Sequence, residues 1–329
     1  MFEGPALVFG AGGFIGANLV RALFRSDVEI HAVVRPSTDL WRLEGIGWQL
    51  SLHRVDIRDA DAVRALVARI GPEVVFNLVA GSVRAEDPGS RQESLDTSLL
   101  GARSLIEALV ETPVRRVVHL GSHLEYAQRD RRLREDDPIA PGSFRGTVKA
   151  TETAQWLHAE RARSVPVTVL RPFHVYGPWE GPRRLIPTAI RCALSALPMP
   201  IVDYETRRDP VFVEDVVEAC VLATRRELAR GEVFNVGSGE EWTTADLVSA
   251  VAQVAGKPIR LRKGAYRLQT TDTPHSRADV TKAARLLEWR PRHGLLEGLE
   301  RTLRWHVSRR GGRAGGVAER DGAVRTTRA

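Results

Sequence analysis

Cysteine is scarce: the 329 residues contain two, Cys192 and Cys220. Neither belongs to a CxxC pair or a Cys/His cluster. That excludes a disulfide framework and a structural zinc site, and no metal centre is expected. Both read as small core residues rather than nucleophiles, and their rarity fits a reducing compartment. Long apolar runs are also missing. No stretch of about 18 apolar residues offers a membrane span. No basic segment followed by an apolar one precedes the strand pattern at Ala6-Leu7-Val8-Phe9, so a cytoplasmic location is expected. Lysine occurs four times, so nearly all basic charge is arginine and each lysine invites attention.

The net charge of +7 points toward nucleic acid only at first sight. Six arginines against two acids in residues 309–329 account for four of those charges. No basic stripe interleaved with aromatics occurs, so nucleic acid is not an expected partner. With 43% hydrophobic residues the chain can bury a large core, and its length suits about two domains.

Apolar, β-branched runs occur at 6–10, 30–35, 50–55, 74–80, 116–121, 167–171, 211–213 and 233–236. Between the first six lie segments of helical period, clearest at 14–25, 59–70, 91–111 and 146–163. This alternation predicts an α/β fold, a Rossmann doubly wound parallel sheet with right-handed crossovers. Beyond Gly177-Pro178 the pattern loosens, interrupted by Pro182, Pro187, Pro198 and Pro200. Further helices are predicted at 214–229, from Thr244 to about 255, and at 294–307. The resulting division is a dinucleotide-binding domain at 1–176 plus 209–237. A smaller, discontinuous C-terminal substrate lobe takes 177–208 plus 238–308. Residues 309–329, rich in Gly and Arg with little to bury, are predicted to be a disordered tail.

The first strand ends in Gly10-Ala-Gly-Gly13-Phe14-Ile15-Gly16, directly before a helix. In that setting Gly10 permits a tight turn, Gly13 lets a pyrophosphate approach the backbone, and Gly16 lets helix and sheet pack closely. The helix N-terminus then offers N–H groups to the phosphates. At the end of the second strand no carboxylate stands ready for an adenosine ribose. Arg35, followed by Ser37 and Thr38, suits a 2′-phosphate instead, so NADP is favoured and NAD is the alternative.

Several separated segments now add up. Gly10–Gly16, Asp56-Ile57-Arg58-Asp59, Phe76-Asn-Leu78-Val-Ala80 and Ser122-His-Leu-Glu-Tyr126 are joined by Arg171-Pro-Phe-His-Val-Tyr-Gly-Pro178, Arg208-Asp-Pro-Val-Phe-Val-Glu-Asp215 and Asn235-Val-Gly-Ser-Gly239. Together they resemble the extended short-chain dehydrogenase/reductases, the NAD-dependent epimerase/dehydratase family acting on nucleotide sugars. The resemblance spans about residues 5–307. It implies adenine-side contacts from Asp56 and Ile57, cofactor contacts from Leu78 and Ala80, and diphosphate contacts from Arg208 and Arg184. It also implies Ser122 at the sugar oxygen and Lys149 at the nicotinamide ribose. A homodimer is implied through helices 91–111 and 146–163, with Leu95, Leu99, Ala102, Ile106 and Leu109 as the apolar face of the first.

The chain departs from that pattern in one decisive place. The family has a tyrosine one helical turn before its lysine, and Arg145 stands there in Gly142-Ser-Phe-Arg145-Gly-Thr-Val-Lys149. A guanidinium cannot act as an acid at neutral pH. Two cations one turn apart want an anion, either cofactor phosphate or substrate. Ser98 likewise stands where the family has Asn. His123 and His174 titrate near pH 7 and are the candidate proton donors, with Ser122 and Arg145 stabilising a developing alkoxide. Glu125 is set aside, because strand alternation turns it away from Ser122. His123-Leu124 occupy the positions of the acid pair of 4,6-dehydratases, which disfavours that reaction. The leading expectation is an NAD(P)-dependent oxidoreductase or epimerase on a nucleotide-linked sugar, in its preferred form a 4-ketoreductase of a deoxysugar pathway. The alternatives are a catalytically silent dinucleotide-binding protein and a lyase or isomerase that retains its NAD.

Overall fold

The structure, a computed structural model, describes residues 2–81, 89–201, 205–263 and 275–313. In the first half the elements run β1 (Ala6–Phe9), α1 (Phe14–Phe24), β2 (Ile30–Val34), β3 (Ser51–Arg54), α2 (Ala60–Ile70), β4 (Val74–Asn77), α3 (Gly89–Leu95), α4 (Gly101–Glu111), β5 (Arg116–Leu120) and α5 (Phe144–Arg163). There follow β6 (Val167–Pro172), β7 (His174–Tyr176), α6 (Leu185–Ser195), β8 (Met199–Ile201), β9 (Arg207–Arg208), β10 (Pro210–Phe212) and α7 (Val213–Ala223). The chain continues through β11 (Val233–Val236), β12 (Trp242–Thr243), α8 (Thr244–Ala255), β13 (Leu261–Lys263), α9 (Thr281–Leu286) and α10 (Leu295–Arg313).

Seven strands form the central sheet in the order β11–β6–β5–β4–β1–β2–β3, every pair parallel. The order reverses at β1, where the chain switches from one edge to the other, as in a Rossmann domain. Both faces are covered, which is why the strands read as nearly continuous apolar runs. Ala6 and Val8 join a core with α1 and α7, while Leu7 and Phe9 join a second core with α2, α4 and α5. Alternating side chains of one strand thus feed two separate layers. A third core, built on Ile190, Met199, Phe212, Leu247, Val251 and Leu299, belongs to the smaller lobe. Cys220 lies in the first core and Cys192 in the third, both as free buried thiols.

The details differ from the sequence-based boundaries in four places. The segment 91–111 is not one helix: a π-turn at Asp96–Leu100 separates α3 from α4. Within α4 the side chains of Ala102, Ile106 and Leu109 are buried inside this chain, against the sheet and α2. Three residues of the face expected to meet a second subunit thus cover its own sheet, while Leu95 and Leu99 stay half-buried, and Leu100 before α4 and Val110 on it are exposed. The strand near 211–213 pairs with β7 and stays outside the main sheet, while β11 joins it beside β6. Ala283, Leu287 and Trp289 pack into the first core, although 238–308 reads as one lobe in the sequence. Trp289 decides this, because its indole N–H donates to the Asp215 carbonyl at 2.9 Å and leads the chain back onto α7. Finally, α10 continues past Ser308 to Arg313; the rest of the expected tail, 314–329, lies outside the described residues. Among the described residues no helix is long and apolar enough to cross a membrane.

Candidate functional site

The carboxyl ends of β1 to β6 all open on one edge of the sheet, and the expected site residues follow them in turn. Gly10 closes β1 at φ +80, a left-handed value that glycine adopts freely. At Gly16 a Cβ would press into the Gly10 carbonyl oxygen and sit 2.9 Å from its carbon, so α1 leans on the turn at a distance no side chain permits. Phe14 and Ile15 form the first turn of α1. No side chain caps that helix and its first turn holds no acid, so its N–H groups remain available to an anion. This cradle fits the pyrophosphate of a dinucleotide. Arg42, from a 3₁₀ turn after β2, reaches the Gly12 carbonyl at 3.5 Å and places a cation above the loop.

At the adenosine end, Arg35 lies just past β2. Its guanidinium pairs with Glu93 of α3 at 2.7 Å, with both side chains about half exposed. A carboxylate is therefore present at the second strand end, delivered by a helix rather than by the strand. Asp56 is held by Arg58, which donates to both its oxygens at 3.0 and 2.6 Å and keeps the carboxyl below its usual range. Ile57 is buried next to Gly101, and Leu78 and Ala80 follow β4 beside the Gly10 turn.

At the other end, Ser122 follows β5 and caps a 3₁₀ turn over His123–Glu125. The Glu125 carboxylate folds back to accept the Ser122 N–H at 2.7 Å. It also accepts the Thr153 hydroxyl at 3.1 Å and pairs with Arg171 at 2.8 Å. Glu125 is thus not turned away from Ser122 by strand alternation; the capping turn brings its carboxylate back onto the Ser122 backbone. Tyr126 is buried, gives its hydroxyl to Asn235 at 2.7 Å, and its phenol is pushed upward by burial. It belongs to the scaffold.

Lys149, on α5, is turned inward. Its ammonium donates to the carbonyls of Val79 at 3.2 Å and Leu120 at 2.9 Å, and to Glu152 at 2.9 Å. An ammonium has three donors, and all three are used. The Glu152 carboxylate also takes the Ser98 hydroxyl and lies 3.9 Å from His119. The Lys149–Glu152 pair is therefore part of a buried network, which the sequence alone does not distinguish from a ribose ligand.

The cleft side of the site carries two histidines and three arginines. The rings of His123 and His174 lie 4.6 Å apart, and His123 stacks on Phe173 at 5.1 Å. His123 Nδ1 faces the Pro172 carbonyl at 3.3 Å, so Nδ1 carries the hydrogen and Nε2 keeps its lone pair. Burial, with Arg145, Arg184 and Arg208 nearby, lowers His123 to about 4. Burial, with His123, Arg208 and Arg184 nearby, pushes His174 well below its usual value. Burial thus favours the neutral form of both rings. Arg145 stands at the first turn of α5, accessible to solvent, and desolvation together with Arg184 draws its guanidinium below the ordinary range. A group both accessible and desolvated sits in an open cleft. Glu180 lies 3.5 Å from Arg184, and burial raises its carboxyl to about 8. At pH 7 it is largely protonated and leaves the Arg184 charge uncancelled. Among the described residues no cluster of His, Cys, Asp and Glu could hold a metal.

Residues 6–237 match the NAD dependent epimerase/dehydratase family. The chain belongs to that family. A UDP-glucose 4-epimerase of Mycolicibacterium smegmatis is 30% identical over 309 residues, covering 90% of this chain and 96% of that protein. A dTDP-glucose 4,6-dehydratase of an Actinoplanes species is 27% identical, over 92% of this chain and 98% of its own. Among solved structures, the UDP-glucose 4-epimerase of Thermotoga maritima with UDP-glucose superposes with a TM-score of 0.85 at 25% identity, over 93% and 99% of the two chains. Membership of the epimerase/dehydratase family accounts for the dinucleotide cradle. Three residues around these ends of the strands escape the sequence: Arg42, Glu93 and Glu180. Arg42 and Glu180 come from segments without periodicity, and Glu93 sits on a helix face that spacing alone does not orient.

Proposed function

We propose that the chain is an NADP(H)-linked reductase of a keto group on a nucleotide-linked sugar, in its preferred form a 4-ketoreductase. The observation that carries this reading is the chemistry of the cleft. Drawing a proton from a sugar hydroxyl, as an epimerase or dehydratase must at the outset, needs a base poised near pH 7. Beside Ser122 the described residues offer a cation, Arg145, and two imidazoles whose proton affinity burial lowers, while the Glu180 carboxyl is buried against Arg184 at 3.5 Å. Reduction asks instead for donors and positive charge around an oxygen that becomes negative. The Ser122 hydroxyl and the Arg145 guanidinium supply both, and water completes the protonation. The bound nicotinamide supplies the hydride. Arg184 and Arg208 meet the diphosphate, and His123 Nε2 accepts a hydrogen bond from a sugar hydroxyl.

NADPH oxidation with dTDP-4-keto-6-deoxyglucose tests the reading. Ser122→Ala and Arg145→Gln should each lower turnover by about 10²–10³ while leaving NADP binding intact. One observation favours a second reading, a silent dinucleotide-binding protein: Lys149 has no donor left for a ribose. Absence of turnover in a wild type that binds both ligands would establish that reading instead.

The cofactor preference rests on Arg35. Its exposed pair with Glu93 contributes at most about 1 kcal/mol, so a 2′-phosphate should displace it. Glu93→Gln should tighten NADP binding and Arg35→Asp should reverse the preference toward NAD. A wild type that binds NAD at least as tightly as NADP overturns this part. The state of Glu180 gives a pH dependence. Its carboxyl ionises as pH rises through about 8 and then offsets Arg184. Affinity for a nucleoside diphosphate should therefore fall between pH 7 and 9, and Glu180→Gln should flatten that fall. A homodimer completes the proposal, with Leu100 of the π-turn and Val110 of α4 as an apolar contribution. A monomeric mass by light scattering at micromolar concentration would remove it.

A further inference from the structure

Beside the cofactor loop, three tryptophans from distant parts of the chain meet. Trp41 follows β2, Trp179 follows β7, and Trp305 lies on α10. The rings of Trp41 and Trp179 are 5.9 Å apart, and those of Trp179 and Trp305 are 5.2 Å apart. Two arginines lie over them. Arg21 of α1 is 4.1 Å from the centre of the Trp179 ring, and Arg309 is 4.7 Å from it. Arg309 is also 5.6 Å from the rings of both Trp41 and Trp305, and it forms an ion pair with Glu44 at 2.8 Å. The α10 helix otherwise packs on α8 and β10, in the smaller lobe. Its last described side chain thus fastens that lobe onto a turn of the large domain.

The residue at the centre of this stack is conformationally unusual. Trp179 has φ +71, a region that a bulky aromatic side chain enters only when its surroundings hold it there. Its carbonyl accepts from Arg42 Nε at 2.8 Å, and the carbonyl before it, of Pro178, accepts from Asn18 at 3.0 Å. The chain runs on from Trp179 through the buried Glu180 to Arg184, whose charge acts on His123 and Arg145. We propose that the end of α10 is a latch: Arg309, by clamping Trp179, holds the 179–184 segment so that Arg184 is placed for the substrate's diphosphate. Arg309 is in this sense a positioning residue for substrate, acting through Trp179. The assignment rests on the reading that Arg184 meets a nucleoside diphosphate, and it departs from the expectation that the chain beyond Ser308 is a disordered tail.

A part that serves only packing would lower the melting temperature and leave ligand affinities alone, which makes the two roles separable. The test uses the full chain, Arg309→Gln, Arg309→Lys and a chain ending at Ser308. Each is titrated by calorimetry with NADP+ and with whichever of UDP, dTDP, GDP, CDP and ADP the wild type binds most tightly. Arg309→Gln and the shortened chain should bind the nucleoside diphosphate about tenfold more weakly, with NADP+ affinity within about twofold. Arg309→Lys keeps a cation over the rings and should recover most of the loss. Should the shortened chain fail to fold, Arg309→Gln carries the comparison. Unchanged diphosphate affinity in Arg309→Gln overturns the latch, whatever happens to stability. So does an equal loss for both ligands, which would mean general loosening. A wild type that binds none of the five diphosphates instead overturns the substrate reading itself, and the latch with it.

Discussion

Gly16→Val should abolish dinucleotide binding. The added side chain would meet backbone, not a side chain that could swing aside: the Gly10 carbonyl, and the Ala11 Cα at 3.0 Å. Relief is available only by lifting α1 from the β1 turn or by deforming the turn itself. Either movement takes the free N–H groups of α1 away from the place where a pyrophosphate would lie. Overpacking of this kind costs about 1–3 kcal/mol in stability, so the protein should still fold while its NADP affinity falls at least a hundredfold. Gly294 provides the control, since a Cβ there meets nothing within 4 Å. Gly294→Ala should leave both melting temperature and affinity unchanged. A Gly16→Val protein that binds NADP within threefold of wild type would show that the cradle is not formed by this contact.

The second large effect lies beneath the catalytic end. Glu125 and Arg171 are almost wholly buried, at 0% and 4% side-chain exposure, and Arg171 also lies 4.5 Å over the Tyr126 ring. Removing one partner strands the other charge in the core, so Glu125→Ala should cost about 3–5 kcal/mol in urea unfolding. The loss also leaves the Ser122 N–H and the Thr153 hydroxyl without their acceptor, which loosens the turn that presents Ser122. The double change Glu125→Leu with Arg171→Met should recover much of the stability, because no lone buried charge remains. It should not restore the position of Ser122. By contrast, the Arg134–Asp136 pair is 60% and 74% exposed, and Asp136→Ala should cost less than about 1 kcal/mol. Equal costs for Glu125→Ala and Asp136→Ala would falsify the account of Glu125 as the keystone of the turn.

The parts of this molecule legible in its sequence are those governed by period and by backbone geometry. Strands such as β1, β4 and β6 announce themselves because both of their faces are buried, and Gly10, Gly13 and Gly16 because only glycine suits that turn. What stays hidden depends on which neighbour a side chain finds. Lys149 reads as a ribose ligand until Glu152 and two carbonyls are seen around it. His123 and His174 read as groups that titrate near pH 7, and the burial among cations that favours their neutral form is not visible in the sequence. Ala102, Ile106 and Leu109 have helical spacing whether they face a partner or their own sheet, and spacing cannot tell the two apart. Arg309 sits in a glycine- and arginine-rich stretch, and the three tryptophan rings and Glu44 give it a place.

The position of β11 in the sheet has a consequence for how the chain reaches this structure. It lies at the edge, beside β6, yet β6 ends at Pro172 and β11 begins at Val233. Between them the chain makes α6, β8 and part of the smaller lobe. On a ribosome, β6 is therefore exposed as an open apolar edge while some 60 further residues are synthesised, on the order of several seconds at typical rates. Closure of that edge is a long-range event, and long-range parallel pairing is intrinsically slow. The interval is the chain's most aggregation-prone stage, because an unpaired strand edge templates pairing with another copy.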